Sequence, residues 1–304
     1  VSTSNEPAPP VEEPSGTDFA FGPWPVANTP PAPPSEIDPN NPPWGLLAAI
    51  LTWLGSVALL VVIPILLVLP YALYQASKQG ATSQSLLEDK TTLFLVVLSN
   101  IPVHLLTFGI VWAVVTRFGK RPFWRALGWS WSERVGFWTS AGLAILLLAI
   151  GVAFTNYVHG EPTDIDKLIQ SSTASRWTLA IMAATTGPLV EELVYRGVLY
   201  PTLQRAAGMF WAVVAVSILF TLPHVPQYYS NVAVIAVIFI LSLSLTLVRA
   251  FTGRLLPCFI MHLVFNGIQS AYIVAEPYLP QAVPDVEQKA PALLMIARSV
   301  RHLI

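Results

Sequence analysis

The chain has 304 residues, of which 54% are hydrophobic and only 11% charged, and its formal net charge is -1. Soluble domains carry about 25% charged residues, so a soluble globular fold is excluded, and the lack of basic excess excludes nucleic-acid binding. A single cysteine, Cys258, excludes an internal disulfide and a thiolate metal cluster.

Residues 1–43 hold roughly half of the prolines and no Lys or Arg. A secretory signal would show a basic region followed by an apolar one, and neither is present. Frequent proline without a repeat predicts a disordered, polyproline-leaning tail. It reads as a solvated linker, or else as an arm for a partner in a membrane-protein complex with Phe19, Phe21 and Trp24 as anchors.

A helix needs about 20 apolar residues to cross a bilayer. Candidate spans follow at 45–73, 92–116, 135–157, 177–203, 209–223, 232–248 and 255–275. Pro64 and Pro102 are expected to kink the first two. Trp44, Trp112, Trp177 and Trp211 fall near span ends, where indole prefers the headgroup region. The connection 117–134 carries Arg117, Lys120, Arg121, Arg125 and Arg134, which makes that side cytoplasmic. Alternation puts Arg205, Arg249 and Arg254 on the same side and the 158–176 connection outside. Residues 276–304 end in "PALLMIARSVRHLI", too short to span and suited to an interfacial helix. The predicted class is an all-α polytopic membrane protein of seven to eight transmembrane helices around a cytoplasm-facing polar cavity, with lipid as an obligate partner.

Three polar clusters interrupt the apolar spans. They are Glu191, Glu192 and Arg196 in "GPLVEELVYRG", His224 in "FTLPH", and His262 with Asn266 in "HLVFN". Ionisable residues within membrane spans are costly and mark function. Glu192 and Arg196 are spaced to pair on one helical face, as are His262 and Asn266. Glu191 and His224 lie about equally far from a turn near Ala207, about 25 Å at 1.5 Å per residue. His262 lies about 13 Å past the turn near Gly253 on the same rise. These depths match if the 187–224 hairpin projects beyond the membrane on the inner side, and the clusters then converge on a polar site roughly 10–15 Å below the cytoplasmic surface.

A carboxylate and a histidine can take a proton from water, while a second histidine and an amide stabilise an oxyanion. That combination hydrolyses an amide without a covalent intermediate. No activated Ser or Cys nucleophile accompanies it, and Cys258 has no evident activating environment. Glu191, His224 and His262 also form a three-ligand set that with water would make a catalytic zinc site, although HExxH is absent. Asn100 and His104, a further four-apart pair, read as polar packing beside Pro102.

In order and spacing, the EExxxR, FxxxH and HxxxN patterns (Glu191–Arg196, Phe220–His224, His262–Asn266) resemble the CPBP intramembrane protease family. That family includes CAAX proteases and bacteriocin-processing, Abi-like enzymes, and the resemblance covers about residues 90–275. It implies a bundle of about eight membrane helices with a conical cavity open to cytosol and bilayer. It implies that Glu191 activates water and that His224 orients or shares the proton. His262 and Asn266 would then stabilise the oxyanion, with Phe220, Glu192 and Arg196 in support. Members are often labelled metalloproteases, yet the glutamate-dependent reading requires no cofactor, a divalent metal such as zinc being the alternative. The expected activity is intramembrane endopeptidase action on protein or peptide substrates. The expected location is a bacterial inner (plasma) membrane with the site toward the cytoplasm. Two other readings stand beside it. One is a catalytically silent member acting as a membrane scaffold, immunity factor or complex subunit. The other is a proton-coupled transporter, which predicts two similar halves that the sequence does not contain.

Overall fold

The protein's structure, a computed structural model, describes residues 38–158 and 160–279. The expectations for the Pro-rich tail up to residue 37 and for an interfacial helix beyond residue 279 lie outside the described residues. Among the described residues all regular structure is helical. Among these same residues six apolar runs are long enough to cross a bilayer: Leu46–Gln79, Lys90–Thr116, Phe137–Val158, Thr173–Tyr228, Val232–Thr252 and Leu256–Tyr278. The protein is an all-α polytopic membrane protein.

The helices, in chain order, are α1 (Leu46–Gln79), α2 (Ser83–Glu88), α3 (Lys90–Thr116), α4 (Phe123–Ala126), α5 (Phe137–Val158) and α6 (Asp164–Ser171). They continue with α7 (Thr173–Ala184), α8 (Thr186–Glu192), a π-helical segment Leu193–Leu199, and α9 (Tyr200–Thr221). A 3₁₀ turn, Leu222–His224, leads to α10 (Val225–Tyr228), and then come α11 (Val232–Thr252) and α12 (Leu256–Ala275). α3 and α11 start on side-chain caps. Asp89 accepts from Thr92 N at 2.7 Å before α3, and Asn231 Oδ1 accepts from Val234 N at 3.3 Å before α11.

The long fourth run is two arms. Gly208, at φ +83° and ψ 166°, breaks α9 where no L side chain sits comfortably. The chain then folds back. Tyr195 OH donates to the Leu219 carbonyl at 3.3 Å, and the Tyr195 and Phe220 rings meet edge-on with centroids 5.0 Å apart. Tyr195 and Phe220 lie nearly equal distances along the chain from Gly208, as an antiparallel hairpin requires. The fourth and fifth candidate spans are therefore these two arms.

One end of the bundle is closed by residues 38–44, which precede α1. Arg249, fully buried, donates from Nη1 to Asn40 Oδ1 at 2.7 Å, from Nη2 to the Pro39 carbonyl at 3.1 Å, and from Nε to the Arg196 carbonyl at 3.2 Å. Arg205 donates to Asn41 Oδ1 and to the carbonyls of Pro42 and Trp44. Arg117 reaches the Pro43 carbonyl, and Trp44 Nε1 donates to the Val198 carbonyl at 3.1 Å. Proline content alone assigns residues 38–43 to the tail. Here they form a strap, because Pro39 and Asn40 satisfy Arg249, which would otherwise be buried with two donors unpaired, while the exposed Arg205 and Arg117 hold its outer part.

A cavity of about 740 Å³ lies between α1, α3, α7, α8, α9, α11 and α12. Its lining reaches Trp53 and Thr107 toward the strap, and Ile165, Leu168, Gln227 and Tyr228 in the opposite connections. No strap residue and none of residues 117–136 or 249–258 lines it. The lining thus runs from mid-bundle toward the connections around Ile165 and Tyr228. The strap at the basic end carries no sequence signal.

Gly253 ends α11 at φ +65°, and a Cβ there would meet Asn40 Nδ2 at 2.8 Å. Gly253→Ala is expected to lose about 1–2 kcal/mol from the left-handed backbone alone, with a further loss from displacing the strap. Thermal unfolding of the full chain in detergent checks this, with Gly142→Ala, in open space, as the control that should lose nothing.

Candidate active site

The α7–α8 junction begins the site. Thr185, at φ -128° and ψ -79°, breaks the helix, and its hydroxyl donates back to the Ile181 carbonyl at 2.6 Å. The restarted helix α8 carries Glu191 and Glu192. Neighbouring residues point about 100° apart on a helix, and here that separates the two acids. The Glu192 side chain is 0% exposed and that of Glu191 30% exposed, with Glu191 lining the cavity.

Glu192 Oε1 accepts from Arg196 Nη1 at 2.9 Å and lies 2.9 Å from His262 Nδ1. A carboxylate only accepts, so this contact assigns the Nδ1 proton to His262. His262 Nε2 is left facing Glu191 Oε2 at 3.6 Å. Arg196 is held on every side. Nε donates to Thr246 Oγ1 at 3.2 Å, Nη2 donates to the Ser242 carbonyl and hydroxyl at 2.9 and 2.7 Å, and the guanidinium lies 4.6 Å from the Phe220 ring centroid. The π-helical segment carries Arg196 at its centre. Such segments recur at functional sites because the wider turn re-aims side chains.

Phe220 is the platform of the site. It stacks on His224 at 5.1 Å with an interplanar angle of 26°, and meets the edge of His262 at 5.9 Å. One helical turn separates Phe220 from His224, which gives the FxxxH spacing its physical reason. His224 Nδ1 donates to the Phe220 carbonyl at 2.8 Å, leaving Nε2 with its lone pair. Asn266, one turn beyond His262, donates one amide N–H to the Ala183 carbonyl at 3.1 Å and retains another.

Glu191, His224, His262 and Asn266 all line the one cavity, as does Phe220, while Glu192 and Arg196 are buried behind them. Among the described residues no three His, Cys, Asp or Glu side chains stand as a metal-holding group. Glu191, His224 and His262 therefore do not fit a zinc centre as arranged, and no chemistry is derived through one. Cys258 is buried against the Leu245 and Arg254 carbonyls and does not line the cavity.

Two features go beyond the sequence reading. Ser242 and Thr246 anchor Arg196 from α11. Their four-residue spacing in "LSLSLT" is the signal that marks a polar face. His104 Nδ1 pairs with Thr186 Oγ1 at 2.8 Å and lines the cavity opposite Glu191's helix, whereas Asn100 spends its amide on the Val96 and Val97 carbonyls of its own helix.

No curated protein and no solved structure matches the chain. Residues 173–268 match the family model described as type II CAAX prenyl endopeptidase Rce1-like. That segment holds α7 to most of α12, and with them Glu191, His224, His262 and Asn266. The similarity to the Rce1-like type II CAAX prenyl endopeptidase family thus rests on residues 173–268 of the 304.

Proposed function

We propose that the protein is an intramembrane endopeptidase that hydrolyses peptide bonds with a water activated by Glu191. The observation that carries this is the division of labour between neighbours. Glu192 is consumed by Arg196 and His262, while Glu191 stands at the cavity wall beside His262 Nε2. A water held by Glu191 gives up a proton to the carboxylate, and its oxygen attacks the scissile carbonyl carbon. The negative charge that develops on the carbonyl oxygen is met by the free amide N–H of Asn266 and by His262. His262 donates through Nε2 only when doubly protonated, since Nδ1 already serves Glu192. Collapse of the intermediate breaks the C–N bond, and the proton taken by Glu191 passes to the leaving amine, with His224 Nε2 placed to orient it. Apolar lining from α1, such as Val57 and Leu60, suits a substrate segment with apolar side chains. The residues 1–37 remain proposed as a linker or docking arm, and a bacterial inner membrane as the location.

Removing a general base typically costs 10²–10⁴ in rate. Glu191→Gln is expected to lose that much, with the fold and the Arg196 cluster intact. Comparative proteomics of membranes containing wild type or Glu191→Gln should show precursor proteins accumulating in the variant. If a cellular phenotype survives both Glu191→Gln and His262→Ala, the scaffold reading replaces the enzyme.

Glu192 acts through His262, so its variant separates positioning from chemistry. Glu192→Gln keeps the volume but removes the counter-ion of the buried Arg196 and can no longer dictate which ring nitrogen of His262 carries the proton. Thermal unfolding in detergent reads the loss of the ion pair. In the folded enzyme a lowered kcat with little change in KM and a shifted pH profile are expected, whereas a merely structural role would lower stability without shifting the pH profile.

A further inference from the structure

Cutting a peptide bond needs an exposed carbonyl, and in a helix that carbonyl is engaged by the N–H four residues on. A segment to be cut is therefore unwound. Inside a membrane protein its freed N–H and C=O groups must find partners in the walls around it. Among the described residues the cavity lining holds no Lys, Arg or Asp, and Glu191 is its one carboxylate. Neutral polar side chains must supply most of those partners.

α3 presents such groups. Asn100, His104 and Thr107 line the cavity at spacings of four and three residues, which is one helical face. α8, which carries Glu191, packs against both α3 and α12. Asn100 Nδ2 is spent on the Val96 and Val97 carbonyls, which leaves Oδ1 as an acceptor. The three histidines of the lining differ in what holds them. A carbonyl fixes the tautomer of His224 and the Glu192 carboxylate fixes that of His262, so neither donates from Nε2 while neutral. His104 Nδ1 meets a hydroxyl instead, Thr186 Oγ1 at 2.8 Å, which can donate as readily as accept. When the hydroxyl donates, the neutral His104 ring carries its proton on Nε2. No protein group among the described residues takes up that nitrogen.

We propose that His104 grips the substrate backbone, donating from Nε2 to a carbonyl other than the scissile one, while Asn100 Oδ1 accepts from a backbone N–H. This rests on the peptidase reading and adds a second wall to it. α12 meets the carbonyl that reacts, through His262 and Asn266, and α3 holds groups that do not react. Residues four apart on a helix are separated by about 6 Å along its axis, close to the two-residue repeat of an extended chain, about 6.6 Å. Asn100 and His104 thus match two hydrogen-bonding groups on one edge of an extended segment. The polar packing expected of this pair from the sequence accounts for Asn100 Nδ2 and His104 Nδ1 alone. A grip on the backbone carries no side-chain preference, so it favours segments that unwind readily at the cut site.

Three variants of the full chain in detergent separate this role from a structural one. His104→Gln puts an amide N–H near the place of Nε2 and gives up the Thr186 contact. His104→Asn keeps a group near the place of Nδ1 and loses the one facing the cavity. His104→Leu loses both. The probe is a synthetic peptide spanning the cut site of a precursor that accumulates with Glu191→Gln. With it, His104→Asn and His104→Leu should raise KM about 10- to 100-fold, with kcat and the pH profile little moved, since a grip held equally in ground and transition states acts on KM. His104→Gln should stay within a few-fold of the native KM. In the Glu191→Gln background, His104→Leu should weaken binding of the same peptide by the same factor. If His104→Gln is as impaired as His104→Leu, the residue merely pins α3 to α8 and the proposal is overturned. That comparison decides the matter even where His104→Asn does not fold. A fallen kcat with a shifted pH profile would make His104 a proton carrier and overturn it too. Native KM in every variant overturns the grip alone, whereas no precursor accumulating with Glu191→Gln overturns the peptidase reading and the grip together.

Discussion

A single buried cation organises the site. Arg196 is 0% exposed within a membrane protein, where an unpaired guanidinium would be intolerable. A buried ion pair repays desolvation only when its geometry is good and the remaining donors are also satisfied. Arg196 meets that condition by drawing on three separate elements: Glu192 from α8, Ser242 and Thr246 from α11, and the face of Phe220 from the returning arm of α9. Through Glu192 it also fixes His262 on α12. The need to satisfy one cation thus specifies how four elements approach one another, and it sets the positions of groups that never touch Arg196.

The same constraint explains why two adjacent acids behave differently. Helical geometry turns them apart, and Arg196 can engage only the one that faces inward. Glu192 becomes part of the scaffold. Glu191 is left with partial access to the cavity and a neighbouring ring nitrogen. A single acid could not be both a fixed counter-ion and a base free to exchange protons. The doubled glutamate lets one helical turn hold both roles.

Much of this was legible in the sequence, for identifiable reasons. Charged and imidazole side chains are conspicuous in apolar spans, so Glu191, Glu192, Arg196, His224, His262 and Asn266 stand out, and helical rise around Gly208 brings the first and second clusters level. Ser242 and Thr246 are harder to see. Hydroxyls are common in membrane helices and can turn back on their own carbonyls, as Thr246 also does toward the Ser242 carbonyl. The strap was illegible because its contacts join Pro39 and Asn40 to Arg249 across most of the chain, and proline-rich sequence looks the same whether solvated or clamped.

The π-helical turn after Glu192 has a consequence for how this domain can vary. The Tyr200 N–H bonds back five residues to the Tyr195 carbonyl, so the chain here carries in effect one residue more than a regular helix needs. Deleting one residue between Leu193 and Leu199 would let the ordinary ladder close with little rotation of α8 against α9, because the wider turn already absorbs the extra residue. What would be lost is the aim of the side chains within the turn, Arg196 foremost. The glutamates would keep their phase and lose the cation that divides their roles.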